Sequence, residues 1–442
     1  MANDAEDYDL MYGGTCINVA CVPTEALVAS AAARRPGDDP DTWFASAVER
    51  RDGLVGAMRA KNYGMLADLP TVTVHDGHGR FLAPVEDPGD GIGRRHVVTV
   101  EAPDGDAIRL TAPVVVVNTG TAPCRPDIPG AHGPYVHDST TIQHISPRPA
   151  ELVVIGAGHV GLEFASMFTG FGSHVTVVDR HERILGHDDA DVAAVIEADL
   201  AASGITFRHD SQVEAIRERD GGALVVLADG TELAADAVLF AVGRTPRSAD
   251  LGLAEIGLEP DVRGFLPVDE HLRTTVPGVY AVGDINGGPQ FTYVSLDDYR
   301  ILKDQLVGEG RRSTADRVAV PHALFIEPTY TTIGMTEAQA VADHRVLVAA
   351  KPVAAIAAMP RPKIEGDPRG LLKILVDAQT DLVLGASLYC LHAEDLVNLV
   401  ALAMRTGTTA GLLRDAIWTH PSISEGLNEV LEAPIPSTLQ PS

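Results

Sequence analysis

Apolar and polar positions alternate most clearly in the middle of the chain. Residues 152–179 read LVVIGAGHVGLEFASMFTGFGSHVTVVD. Leu152 to Ile155 is an apolar run of strand length. Helical spacing of apolar residues follows, and Val175 to Val178 is a second short run that ends in Asp179. Strand, helix and strand at this spacing predict a βαβ unit in a parallel sheet. Ala223 to Leu227 and Ala237 to Ala241 read as further strands. Upstream, Met11 to about Ala60 predicts a loop followed by helix, with Ala26 to Arg34 helical. Thr71 to Val74 and Val97 to Val100 are β-branched runs and read as strands. Ala112 to Asn118 (APVVVVN) reads as a short buried strand that ends in Thr119-Gly120. A stretch rich in Pro, Gly and His, Pro123 to Pro149, reads as a domain crossing, and a second crossing falls near Gly264 to Pro277. From Pro321 onward strands and helices alternate with their own apolar load. No solenoid-type repeat is present.

Length and charge narrow this picture. A chain of 442 residues is too long for one core and implies two to four domains. A formal charge of −27 disfavours nucleic acid and anionic lipid as partners. No apolar run reaches the ~20 residues that span a bilayer. The opening MANDAEDYDL is acidic and has no basic-then-apolar order of a signal peptide. The expectation is a cytoplasmic protein with no membrane partner.

The glycine turn carries the first specific chemistry. Gly156-Ala157-Gly158-His159-Val160-Gly161 lies between a strand and a helix, with an acid at the end of the next strand. In such a turn Gly156 permits the tight bend, Gly158 lets the backbone approach a pyrophosphate, and Gly161 lets the helix pack on the strand. Free N–H groups at the helix start favour the phosphates. Asp179 suits a ribose 2′-hydroxyl and hence NADH, whereas Arg180, His181 and Arg183 suit the 2′-phosphate of NADPH. An unoccupied glycine turn is the bland alternative.

Cysteines carry the second. There are four, Cys16, Cys21, Cys124 and Cys390, too few and too scattered for a disulfide framework. Cys16 and Cys21 are close together in GGTCINVACVPT, at the start of a predicted helix. A helix N-terminus stabilises a thiolate, and the second sulfur is near enough to resolve a mixed disulfide. Two small buried hydrophobes are the alternative on spacing alone. Cys124 and Cys390 have no partner signature, and two cysteines are too few for a zinc site; no metal ligands are expected.

The stretch GGTCINVACVPT resembles the redox-active loop of the flavoprotein disulfide reductases, the class I pyridine nucleotide-disulfide oxidoreductases. Val116 to Gly120, Ala241 to Pro246 (AVGRTP), Gly278 to Gly288 (GVYAVGDINGG) and Thr419 to Glu425 (THPSISE) are similar to further motifs of that family. MYGGTCINVACVPT, FTYVSLDDYRI, GEGRRSTADR and THPSISEGLNE place the chain nearest the reactive-chlorine-resistance group, with mercuric reductases as neighbours. The resemblance implies an α/β fold with two Rossmann-like nucleotide-binding domains and a C-terminal α+β dimerisation domain. It implies an FAD-binding part at 1–148 with a second part at 269–320, an NAD(P)-binding domain at 149–268 and an interface domain at 321–442. The cofactors implied are FAD with NAD(H) or NADP(H), bound by Gly79, Thr119, Gly120, Gly156, Gly158, Gly161, Glu163, Asp179, Gly243, Asp284 and Thr292. Asp284 would meet the ribityl chain. Cys21 would face the flavin and Cys16 would exchange with substrate. His420, oriented by Glu425, would take and return the thiol proton across a homodimer. The substrate implied is a small molecule or a metal ion such as copper(II).

Two features depart from that family. Its first strand, glycine turn, helix and second strand have no counterpart before Met11, so the FAD-binding domain is expected to be incomplete. Glu6 falls about where a ribose-binding acid belongs, without a strand pattern around it. Glu25 stands where the family has Lys, beside the acid that matches Glu163. A carboxylate there replaces a cation near the flavin and repels its neighbour. Two rival readings follow: an NAD-binding, catalytically impaired paralogue without stable FAD, and an NADH-linked thiol or metal-binding protein that works without flavin.

Overall fold

The computed structural model describes residues 11–87, 93–102 and 104–439. Glu6 lies outside them. The chain divides into two compact units. One comprises Met1–Thr24, Glu49–Cys124 and Gly243–Arg317, and the other Glu25–Val48, Arg125–Val242 and Val318–Ser442. The α/β class read from the sequence is observed.

The second unit contains the predicted βαβ element. Its five-stranded sheet is parallel, in the order Val136–Asp138, Ala237–Phe240, Glu151–Ile155, His174–Val178 and Thr206–Arg208. The helix His159–Gly170 buries Leu162, Phe164, Ala165, Met167 and Phe168, the face its apolar spacing predicts. Strand order reverses between Glu151–Ile155 and Ala237–Phe240, and the turn at Gly156 leaves the sheet at this switch point, where open parallel sheets bind ligands. The C-terminal part of the unit is a six-stranded antiparallel sheet backed by Ala393–Thr406. Leu372, Ile374, Leu388, Val397 and Val400 form its core.

The first unit holds a three-stranded antiparallel sheet of His78–Asp87, Gly93–Glu101 and Ala107–Ala112. It also holds a parallel pair, Val115–Val117 with Val279–Ala281, and an antiparallel pair, Thr121–Pro123 with Arg244–Pro246. Val117, Leu253, Leu266, Val279, Ala281 and Ile285 pack together in its core.

Three local expectations are corrected. Thr71 to Val74 form no strand: the segment runs irregularly after the helix Pro40–Ala67 and joins no sheet. Its β-branched residues have no sheet face to pack on, and that face is what β-propensity measures. The strand expected over Ala112 to Asn118 is three residues long, because Pro113 lacks the N–H to continue a ladder, and Val116 is 40% exposed rather than buried. Gly14–Ala32 is long and apolar enough to cross a bilayer by length and composition, contrary to the run-length reading. It comprises two helices, Gly14–Asn18 and Cys21–Ala32, and Leu27, Val28 and Ala31 pack in the apolar core.

One buried ion cluster fixes the second unit. Lys373, on the strand Leu371–Asp377, is 2% exposed and meets Asp189 at 3.0 Å, Asp191 at 2.9 Å and Glu337 at 2.8 Å. Glu337 also donates its backbone N–H to Asp189 at 2.9 Å. The cluster ties the helix Ala190–Ala202, which begins after Asp189, to the C-terminal sheet. Removing one partner of a buried ion pair leaves uncompensated charge and costs about 3–5 kcal/mol. Lys373→Ala is therefore expected to lower the unfolding free energy by about that much in urea titrations.

Candidate functional site

In the first unit the cysteine loop begins at Gly13 and Gly14, with φ of +95° and +72°, a left-handed turn that glycine tolerates. The short helix Gly14–Asn18 carries Cys16, and Cys21 is the first residue of Cys21–Ala32. Asn18, 4% exposed, holds the loop closed. Its Nδ2 donates to the Gly14 carbonyl at 2.8 Å and the Tyr12 carbonyl at 3.2 Å, and its Oδ1 accepts from Arg59 Nε at 2.6 Å. Tyr12 in turn hydrogen-bonds Asp76 and packs edge-on against Tyr63.

Both thiols are free, and each acts on the other's proton. The bond with Cys21, helped by Thr292 and the Val22 N–H, brings the Cys16 thiol down to about 6 despite its burial. Cys21, which supplies that bond and sits beside the Cys16 charge, holds its proton more tightly than a free thiol. Cys21 Sγ lies 3.6 Å from Thr292 Oγ1, at the start of the helix Thr292–Val307.

Asp284 sits in the 3₁₀ turn Gly283–Asn286 after the strand Val279–Ala281. Its carboxylate accepts from Thr121 Oγ1 at 3.1 Å, and Thr121 accepts from Arg244 Nε at 2.7 Å. Burial pushes the Asp284 carboxyl up, and Thr121 and Arg244 draw it partly back. The turn is held from below by Asp298, 1% exposed, which accepts from the Gly283 N–H at 2.7 Å and Asn286 Nδ2 at 3.1 Å and pairs with Arg317. Thr119 donates to the Arg247 carbonyl at 2.8 Å, and Gly120 has φ +69°. Gly243, φ +112°, accepts from the Cys124 N–H at 2.9 Å. Gly79 lies in an antiparallel strand with space around it. Its neighbour Gly77 is the tighter position, since a Cβ there would lie 2.4 Å from the Glu101 carbonyl.

In the second unit, a Cβ at Gly161 would lie 1.9 Å from the Gly156 carbonyl and one at Gly156 would lie 2.5 Å from the Ala241 carbonyl, whereas Gly158 faces open space. The residues thus match a pyrophosphate cradle: two glycines close the turn and one leaves room for a ligand. Asp179 Oδ2 accepts the Ala157 N–H at 2.6 Å, and Oδ1 accepts His181 Nδ1 at 2.7 Å. Burial raises its carboxyl, but the N–H groups of Ala157 and His181 outweigh that and hold it below the usual range. Arg183 is spent on the carbonyls of Leu185, Gly186 and Asp188, so of the three candidate phosphate ligands only Arg180 lies exposed and clear of these contacts. Glu163 accepts the Phe325 N–H at 3.0 Å. His420 Nδ1 lies 2.7 Å from Glu425 Oε1, and Glu425 Oε2 accepts the Ser422 N–H at 2.8 Å. Cys390 is fully buried, which pushes its thiol up, and Cys124 is half-buried.

For a flavin, Asp284 offers an acceptor suited to the polyol chain, and the start of Thr292–Val307 offers the positive end of a helix dipole. Among the described residues of this unit no second G-x-G-x-x-G turn lies between a strand and a helix. Sequence reading missed Asn18, Arg59, Thr121, Arg244 and Asp298. Four of them, all but Arg59, lie within or beside motifs quoted above, but only the fold reveals what they hold.

The family model for "Pyridine nucleotide-disulphide oxidoreductase" matches residues 3–298, and the model for the dimerisation domain of the same family matches residues 320–431. The probable pyridine nucleotide-disulfide oxidoreductase RclA of Escherichia coli (strain K12) is 39% identical over 96% of this chain and 92% of its own length. A mercuric reductase of Streptomyces lividans is 31% identical over 94% of this chain and 87% of its own length. The solved copper(II) complex of the HOCl-induced flavoprotein disulfide reductase RclA from E. coli superposes with a TM-score of 0.87 at 38% identity, covering 95% of this chain and 91% of that one. The chain belongs to the pyridine nucleotide-disulphide oxidoreductase family and carries its dimerisation domain.

The thiolate is the species that alkylates, so the reactivity of Cys16 should rise with pH through about 6, while Cys21 stays protonated to higher pH. Iodoacetamide labelling of the reduced chain, read by peptide mass spectrometry, checks this. Half-maximal labelling of Cys16 at the pH of an ordinary thiol would show that the sulfur pair does not share its proton.

Proposed function

We propose that the chain is a flavin-dependent oxidoreductase that draws electrons from NAD(P)H and delivers them through Cys16 and Cys21 to a disulfide, a metal ion or an oxidant. The observation that carries this reading is the pair of free thiols Cys16 and Cys21 at the start of Cys21–Ala32, with Cys21 Sγ 3.6 Å from Thr292 Oγ1. FAD, when bound, supplies the two-electron relay between a nicotinamide and a disulfide. The turn Gly156, Gly158 and Gly161 receives the nucleotide pyrophosphate. Asp179 retains lone pairs for ribose hydroxyls and Arg183 is occupied, which favours NADH over NADPH. Asp284, with Thr121 behind it, orients the flavin polyol, and Gly79, Thr119, Gly120, Glu163, Gly243 and Thr292 are assigned to the cofactor sites by family resemblance. Cys21 faces the flavin and Cys16 exchanges with substrate. His420 takes and returns the proton at Nε2 while Glu425 fixes Nδ1, and in a family-type homodimer each chain's pair serves the other chain's cysteines.

We assign 1–148 and 269–320 to flavin binding, 149–268 to the nucleotide and 321–442 to the interface. Four free cysteines suit a reducing, cytoplasmic compartment. The copper(II) complex of the E. coli relative makes copper(II) the first acceptor to test.

Glu25 favours a second reading, an NAD-binding paralogue that holds flavin weakly. It puts a carboxylate on the cysteine helix where the family has a lysine. Purified chain, with FAD added, should show a protein-bound visible flavin band that bleaches with NADH. A colourless protein that still binds NADH would favour the second reading, and Glu25→Lys should then raise flavin retention.

A further inference from the structure

We propose that the Thr292 hydroxyl donates a hydrogen bond to the Cys21 sulfur and stabilises the anionic reduced form of the Cys16–Cys21 pair, so that Thr292 sets the pair's redox poise. The inference rests on the reading of Cys16 and Cys21 as a reversible redox pair and deepens it.

Three observations converge. Thr292 Oγ1 stands 3.6 Å from Cys21 Sγ. Thr292 is the first residue of a 16-residue helix, so its hydroxyl is carried on the first turn of a long regular element. The helix cannot drift from this position without breaking a buried network. Asp298, less than two turns further on, holds the Gly283 N–H at 2.7 Å and pairs with Arg317.

The state that gains is the reduced one. A disulfide sulfur is a weak acceptor, whereas a thiolate draws a charge-assisted bond, which is markedly stronger than a neutral one. The pair's single negative charge is shared between two hydrogen-bonded sulfurs. The Val22 N–H serves Cys16, and the Thr292 hydroxyl acts on both sulfurs, with Cys21 Sγ at 3.6 Å. When a dithiol reduces the pair, the Cys16–Cys21 S–S bond breaks and two electrons enter the sulfurs. The dithiol closes to its own disulfide and gives up two protons. One stays between Cys21 and Cys16, and the other leaves to solvent. Stabilising the thiolate therefore favours reduction and makes the pair more oxidising, the direction in which a stabilised reduced form acts.

The test uses the full chain as wild type, Thr292→Val, Thr292→Ala and Thr292→Ser, and needs no bound flavin. Each is equilibrated in dithiothreitol buffers of graded poise, and the free thiols are trapped and weighed. Thiolate ultraviolet absorbance is titrated in parallel against pH. Removing the hydroxyl in Thr292→Val should lower the equilibrium constant for reduction about tenfold, about 30 mV more negative for this two-electron couple. It should also raise the first thiol titration by about one pH unit. Thr292→Ser should restore both values. Thr292→Ala serves as the second hydroxyl-free variant should the valine form fail to fold by circular dichroism. Hydroxyl-free variants indistinguishable from wild type in both readouts, or a serine form that stays with valine, would overturn the role of Thr292. A wild-type chain whose cysteines form no disulfide in any buffer would instead overturn the redox-pair reading, and the thiolate titration alone would still decide whether Thr292 stabilises the anion.

Discussion

The first turn of an α-helix presents N–H groups that have no partner within the helix, and this constraint organises the chemistry of the chain. Some helices close those donors with side chains. Thr336 and Gln339 form a full capping box at Glu337–Asp343, and Thr409 caps Ala410–Arg414. Two helices that carry site residues leave their first turn without such a cap. His159–Gly170 begins at Gly158 and Thr292–Val307 at Phe291, and neither residue supplies a side-chain cap. A helix start favours anions, and beside these two lie open space at Gly158 and, at the Thr292 hydroxyl, the sulfur of Cys21.

This division explains what could be read from the sequence. The βαβ unit was legible because its strands are buried on both faces and its helix on one, so apolar spacing alone marks them. Gly156 and Gly161 were legible because steric exclusion leaves no alternative residue: a Cβ at either would strike a backbone carbonyl. Thr71 to Val74 misled for the converse reason, since β-branched residues mark a strand only where a sheet receives them. The run Gly14–Ala32 was misjudged because Asn18, Thr24, Glu25 and Ser30 interrupt it while its mean hydropathy stays at 1.3.

The polar supports were not legible. Asn18, Thr121, Arg244 and Asp298 act through partners far away in sequence: Arg59 for Asn18, Asp284 for Thr121, Thr121 for Arg244, and Gly283 and Arg317 for Asp298. No local period signals such pairings. Asn18, Thr121 and Asp298 are buried, and a buried polar group left without its partner costs about 1–3 kcal/mol.

The supports also show that one helix does two tasks. Thr292–Val307 brings its first residue to Cys21 and, through Asp298, fixes the turn that presents Asp284. The sulfur pair and the acidic turn are therefore referenced to one rigid element rather than to two loops. A displacement of that helix moves the hydroxyl and the carboxylate together. The separation between the Cys21 sulfur and the turn that carries Asp284 is therefore set by a single helix and its buried Asp298.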